Sequence, residues 1–92
     1  MRLTSVQIER TLDQFDGEVV PEDNPVVEDL VRFFGNHTYF LDQTGLNIIE
    51  PAGANQQDGQ VGVVVNIASW TEADSPALAP HEPEITDVFV SL

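Results

Sequence analysis

The sequence predicts a small α+β domain in which two N-terminal helices pack on one face of a mainly antiparallel sheet of about four strands. Apolar residues recur at helical spacing up to Gly35, and from His37 onward they alternate or cluster as in strands. With 92 residues, the chain has the length of one domain, 1–92. Helices followed by a run of antiparallel strands are typical of a two-layer α+β domain.

The first helix is predicted from Thr4 or the following residue to about Phe15. Thr4 and Gln7 have the spacing of a capping box, in which each side chain bonds the other residue's backbone. The following apolar residues make one stripe along the helix: Ile8, Leu12 and Phe15. Residues 18–23 contain Pro21 and are predicted to be an extended connector.

The second helix is predicted to start at Asn24 and to end at Gly35. Asn24 is a favoured N-cap residue, Pro25 suits the first helical position, and glycine is common just past a helix end. Its apolar residues have helical spacing and form a wide stripe: Val26, Val27, Leu30, Val31, Phe33 and Phe34.

A β-hairpin follows, with strands at 37–42 and 46–50. Between them we expect a four-residue loop built on a type I turn, with Gly45 as its left-handed residue and the Asp42 side chain accepting from turn amides. The resulting register pairs three sets of residues across the hairpin: Leu41 with Leu46, Tyr39 with Ile48, and His37 with Glu50.

The second half of the chain contains two further predicted strands separated by loops. Residues 51–60 have no aliphatic side chain larger than alanine and are predicted to be a loop. The strand at 61–71 is the most strongly marked, and 72–83, with three prolines, is predicted to be a long irregular connection. The last strand lies within 84–92, and it could pair with the third strand or beside the hairpin.

The charge is the most unusual feature of the composition. There are 16 acidic residues against three arginines and no lysine, giving a formal net charge of −13. This disfavours direct binding to nucleic acid or to an anionic membrane, because both depend on Lys and Arg. A basic protein partner would be attracted, although acidity also keeps a protein in solution without any partner, or reflects a source with a salty or lysine-poor proteome.

Localisation and cofactors are addressed mainly by features that the sequence lacks. It has no cysteine, no apolar signal segment at its start, and no apolar run of the roughly 18 residues needed to cross a bilayer. We therefore expect a cytoplasmic protein without membrane contact. The two histidines have no zinc-site spacing, and we find no phosphate-binding or calcium-binding loop, so neither a metal nor another cofactor is expected.

Two sets of residues are candidates for a functional site. Because no catalytic motif is present, we expect a non-catalytic module that binds a basic protein or forms a homodimer through Trp70, Tyr39 and Phe40. The alternative is an enzyme or ligand-binding domain that uses His37 and Glu50, with His81, beneath the 72–83 loop. A third hypothesis, an acidic mimic of nucleic acid, requires the carboxylates to lie along one elongated face.

Overall fold

A computed structural model describes residues 2–51, 61–71 and 77–92. Within these ranges, the helices and strands in chain order are α1 Ser5–Gln14, β1 Glu18–Val19, α2 Val26–Phe34, β2 Phe40–Asp42, β3 Gly45–Pro51, β4 Val61–Trp70 and β5 Leu78–Ser91. The strands form one antiparallel sheet in the order β1-β2-β3-β4-β5. The predicted α+β class is confirmed, and the last strand pairs with β4.

Helix α1 begins where the sequence predicts, and α2 begins one residue later than predicted, after Pro25 instead of at it. Thr4 caps α1 with the full capping box: its hydroxyl accepts from the Gln7 N–H at 3.2 Å, and the Gln7 side chain accepts from the Thr4 N–H at 3.0 Å. Helix α2 is assigned from Val26, and the Asn24 side chain accepts from the Val26 N–H at 3.0 Å. Gly35 ends α2 with φ of +98°.

The sheet has five strands rather than about four, because the predicted connector 18–23 contributes β1. Glu18 and Val19 pair with Leu41 and Phe40 of β2. Two residues are too few to show a strand pattern in the sequence, and Pro21 marked the segment as irregular. The added strand covers the edge of the hairpin.

The last strand also starts earlier than predicted, at Leu78 instead of within 84–92. Pro80 pairs with Ala68, and the register of β4 against β5 shifts twice along its length. Proline is tolerated in a strand that lies at a sheet edge or beside a bulge, which is the situation of β5. The predicted irregular connection is therefore wrong for 78–83, and residues 52–60 and 72–76 of the two predicted loops lie outside the described ranges.

The two helices pack on opposite faces of the sheet, not on one face as predicted. On the face covered by α1, the buried cluster is Leu3, Phe40, Ile49, Val64, Val90 and Leu92. On the face covered by α2, it is Val20, Tyr39, Leu46, Ile48, Val63, Val65, Ile67 and Ala68. Strands β3 and β4 are apolar on both faces, so both faces need a cover to keep these side chains from water.

The hairpin has the predicted register but a shorter turn. Leu41 pairs with Leu46, and Asp42 pairs with Gly45, which leaves only two residues between the strands. The Asp42 carboxylate accepts from the Thr44 and Gly45 N–H groups at 2.8 and 3.1 Å, as predicted. Gly45 has φ of +136°, and a Cβ there would lie 2.1 Å from the Ala68 carbonyl oxygen, so the position requires glycine.

Candidate functional site

His37 and Glu50 form the predicted pair across the hairpin, on the α2 side of the sheet. Nδ1 of His37 lies 3.6 Å from Oε1 of Glu50, and the imidazole edge meets the Tyr39 ring with centroids 6.0 Å apart. Burial lowers the pKa of His37 below its ordinary value, although the Glu50 carboxylate acts in the opposite direction. The neutral imidazole is therefore favoured, and the pair is a weak ion pair at most.

His81 takes part in a hydrogen-bonded network that the sequence did not indicate. Its Nε2 lies 2.6 Å from Oδ1 of Asn66 and 3.0 Å from the Ser69 hydroxyl. Asn66 is buried and donates in turn to Oδ1 of Asn47 at 2.9 Å. We call these four residues, Asn47, Asn66, Ser69 and His81, the amide–imidazole cluster.

The orientation of the Asn66 carboxamide is determined by its surroundings. Its amino group faces acceptors: Oδ1 of Asn47, and the Ala68 and Leu46 carbonyl oxygens at 3.2 and 3.4 Å. Oδ1 of Asn66 must then face His81 and can only accept. Nδ1 of His81 lies 2.7 Å from the Glu82 carbonyl oxygen, which also accepts only. Both ring nitrogens of His81 thus face acceptor oxygens.

This geometry does not suit a Ser–His nucleophilic pair. Such a pair needs a neutral Nε2 that accepts the serine proton. Here Oδ1 of Asn66 lies closer to Nε2 than the Ser69 hydroxyl does, and it calls for a proton on that nitrogen. The cluster is instead a polar link that ties β5 to the buried amides of β3 and β4.

The sheet separates the two histidines. Asn47 and Asn66 alternate with α2-side residues and so lie on the α1 side, where His81 reaches them. His37 lies beside Glu50, which is two residues from Ile48 and shares its α2-side face. The described residues therefore do not bring His37 and His81 together, and they contain no group of three or more potential metal ligands.

Tyr39 and Phe40, two of the predicted binding residues, lie in the core. Phe40 is fully buried on the α1 side, with its ring at an edge-on angle to that of Phe15. Tyr39 is buried on the α2 side, and its hydroxyl lies 2.5 Å from the Gly35 carbonyl oxygen and 3.1 Å from that of Leu30. Burial raises the pKa of Tyr39, so the hydroxyl remains a donor. Both residues would influence binding only through the fold.

Trp70, the third predicted anchor, is partly exposed at the end of β4. Its indole N–H donates to the Asp42 carbonyl oxygen at 2.7 Å, which fixes the ring beside the hairpin turn. The ring lines an open cleft of about 550 Å³ whose other residues include three acidic side chains: Asp16, Glu18 and Asp42. A flat aromatic ring among carboxylates suits a cationic side chain.

The most exposed apolar residues of the sheet lie on β5 and the start of β4. Ile85 is 76% exposed and Phe89 is 60% exposed, and they pair with Val65 and Val63. Because cross-strand partners share a face, both point to the α2 side. Val61, which alternates with Val63, points the same way and is also exposed. We call Val61, Ile85 and Phe89 the edge patch.

The sequence contained only a partial signal for the edge patch. Alternation within the last strand places Thr86, Val88, Val90 and Leu92 on one side. Ile85 and Phe89 are four residues apart and so lie together on the other side by the same alternation, and the two extra residues that the register shift between Val63 and Val65 places in β5 leave this unchanged. Only the pairing with β4 reveals that shift.

Helix α2 covers a different part of the same face. Its side chains Leu30 and Phe34 meet Leu46, Ala68 and Leu78, at the end of the sheet opposite to the edge patch.

The two helices in the described ranges are too short to cross a membrane. In comparisons with known proteins, no family model, no curated protein and no solved structure matches the chain.

Proposed function

We propose that this protein is a small non-catalytic module that binds a protein partner through the edge patch. The observation that carries the proposal is the position of Ile85 and Phe89, two large apolar side chains exposed side by side on an outer strand. A large apolar side chain gains by leaving water, and clustered exposed ones are typical of interaction sites.

The charges around the edge patch favour a basic partner over a second copy of the chain. Glu82, Glu84 and Asp87 are all exposed on β5, the strand that carries Ile85 and Phe89. A homodimer across this strand would bring two such acidic sets together, whereas lysine and arginine side chains would complement them. The net charge of −13 would also speed the encounter with a basic protein.

Two other hypotheses receive less support from the geometry. The enzyme or ligand-binding hypothesis needs His37, Glu50 and His81 to converge, and the sheet lies between the two histidines. The nucleic-acid mimic needs carboxylates along one face, but the described acidic residues include some on α1 and some on α2, which cover opposite sides of the sheet. Trp70 and its acidic cleft are a second place where a basic partner could make contact.

The test is affinity capture from a lysate of the source organism, followed by reconstitution with the purified captured protein. The double variant Ile85→Ser/Phe89→Ser removes the edge patch, and Phe33→Ser removes a similarly exposed aromatic from α2 as a matched control. We expect the double variant to bind the purified partner at least about tenfold more weakly, which corresponds to a loss of roughly 1.4 kcal/mol of binding free energy. High salt should weaken the binding further.

Two results would overturn this proposal. One is capture that is equally strong for the wild type and the double variant. The other is a dimer in light scattering that dissociates in the double variant, because the edge patch would then be occupied by a second copy. Circular dichroism of each variant shows that the fold is retained before binding is compared.

A further inference from the structure

We infer that the partner contributes an extended segment bearing lysine or arginine, which adds to β5 as a sixth strand of the sheet over residues 84–89. This inference rests on the proposed function, since it names how the edge patch is used. Strand addition combines backbone hydrogen bonds with pockets for alternate side chains, and it requires a free sheet edge. The structure shows where such an edge lies.

The hydrogen bonds to Gln14 of α1 show in which direction the N–H and C=O groups of β5 point. The Ser91 N–H donates to Oε1 of Gln14 at 2.7 Å, and the Ser91 carbonyl accepts from its Nε2 at 2.8 Å. These groups therefore point away from β4, and the Gln14 carboxamide occupies the place of a neighbouring strand. The outer edge of β5 is already paired with an amide at this one position.

Phe89 has the same backbone direction as Ser91. The pairs Val61–Ser91, Gly62–Val90 and Val63–Phe89 run without a register shift. In an antiparallel strand, residues two apart direct their N–H and C=O groups to the same side. The Phe89 groups therefore point outward, and within the described part of the chain no residue is hydrogen-bonded to them. They can pair with an added strand.

A glutamine at one end and prolines at the other limit the part of β5 with which an added strand can pair. Gln14 closes the edge at Ser91. At the other end, Pro83 and Pro80 have no N–H to donate, and proline on an edge discourages pairing. Between these limits, five residues of β5 from Ile85 to Phe89 lie opposite three residues of β4, and the Thr86 hydroxyl already accepts from the Val88 N–H at 3.2 Å. Ile85 pairs with Val65, which lies two residues from Val63, so its backbone groups point outward like those of Phe89, and an added strand would pair at these two residues on either side of the bulge.

The side chains of this stretch select the occupant. Ile85 and Phe89 offer apolar contacts on the α2 side, while Glu84 and Asp87 supply exposed carboxylates along the same strand. Acidic residues and prolines on an edge are the features by which proteins prevent pairing between identical edges. They do not repel a basic strand. A segment that alternates apolar and basic side chains satisfies both requirements.

The test uses a fluorescein-labelled, capped heptapeptide that alternates lysine and valine, titrated against the full chain by fluorescence anisotropy. The first control peptide is N-methylated at alternate residues, which removes the N–H groups of one edge and leaves the side chains intact. The second replaces each lysine by glutamate. Amide hydrogen exchange at Phe89 is followed in the same mixtures, since pairing protects an outward N–H.

We expect the lysine–valine peptide to bind, to protect the Phe89 amide, and to weaken at least about tenfold on N-methylation, which corresponds to 1.4 kcal/mol. Binding should also weaken in Ile85→Ser/Phe89→Ser but not in Phe33→Ser. No binding, equal binding of the N-methylated peptide, or an unprotected Phe89 amide would overturn strand addition. Equal binding of the glutamate peptide would overturn the basic character of the segment.

The two proposals can fail separately. If the captured partner depends on the edge patch but the Phe89 amide stays unprotected in the complex, strand addition is wrong and the binding function stands. If the wild type and the edge-patch variant capture the partner equally well, the proposed function itself is wrong.

Discussion

Removal of the Asn66 carboxamide should be among the most damaging polar substitutions in this protein. In Asn66→Ala, the 2.6 Å contact with His81 and the 2.9 Å bond to Asn47 are both lost. A neutral hydrogen bond contributes about 1 kcal/mol, and a buried polar atom left without a partner costs about 1–3 kcal/mol. The Asn47 carboxamide is fully buried, and its Nδ2 already has no hydrogen-bond partner among the described residues. In the variant, Oδ1 of Asn47 would lose its partner as well.

We expect Asn66→Ala to lower the free energy of unfolding by about 3 kcal/mol, within a range of roughly 2–5 kcal/mol. This is a large part of the roughly 5–15 kcal/mol that holds a domain folded. The assay is urea unfolding followed by the fluorescence of Trp70, the single tryptophan of the chain. Asn36→Ala removes an exposed asparagine as the control and should change the free energy by less than about 0.5 kcal/mol.

A loss below about 1 kcal/mol for Asn66→Ala would refute the view that this network is a structural link. The double variant with His81→Ala gives a second check. Because both residues belong to one network, the two losses should add to more than the loss in the double variant, by about 0.5–3 kcal/mol. Strict additivity would show that the His81 contact contributes nothing to stability.

Three further predictions concern other parts of the fold. Gly45→Ala should destabilise by about 3 kcal/mol or more in urea unfolding, because it combines positive φ with a clash against the Ala68 carbonyl; a loss under about 1 kcal/mol would contradict the turn geometry. Phe40→Ala should cost about 3–5 kcal/mol by the same assay, since it empties a fully buried site, and an unchanged midpoint would contradict that burial. The lowered pKa of His37 means that the unfolded chain binds its proton first, so stability should fall as pH drops below 6.5; His37→Gln should remove this component, and an identical pH profile in the variant would contradict it.

Local sequence patterns determined the helices and the central hairpin. The capping box of Thr4 and Gln7, and the Asn24 cap, act within one turn of chain, so they can be predicted without the rest of the fold. The hairpin register follows from period-two alternation, which placed Leu41 opposite Leu46 and His37 beside Glu50. These features depend on residues close together in the chain.

The tertiary structure decided which side of the sheet each helix covers. Both helices have an apolar stripe, and nothing in a stripe specifies the face against which it packs. The choice depends on β3 and β4, whose alternate residues are apolar on both faces. The sequence contained that information, but the number of layers became clear only once all the strands were assembled.

The candidate site likewise contains one feature that local sequence predicted and others that only the tertiary structure determined. His37 and Glu50 could be paired from the hairpin alone, whereas Asn66 and His81 are separated by 15 residues and meet only because β4 and β5 pair. Ile85 and Phe89 share a face by alternation alone, but only the pairing with β4 and the position of α2 show that this part of the face is left exposed. For this physical reason, composition predicted an acidic binding module, and only the assembled sheet identified the surface proposed for it.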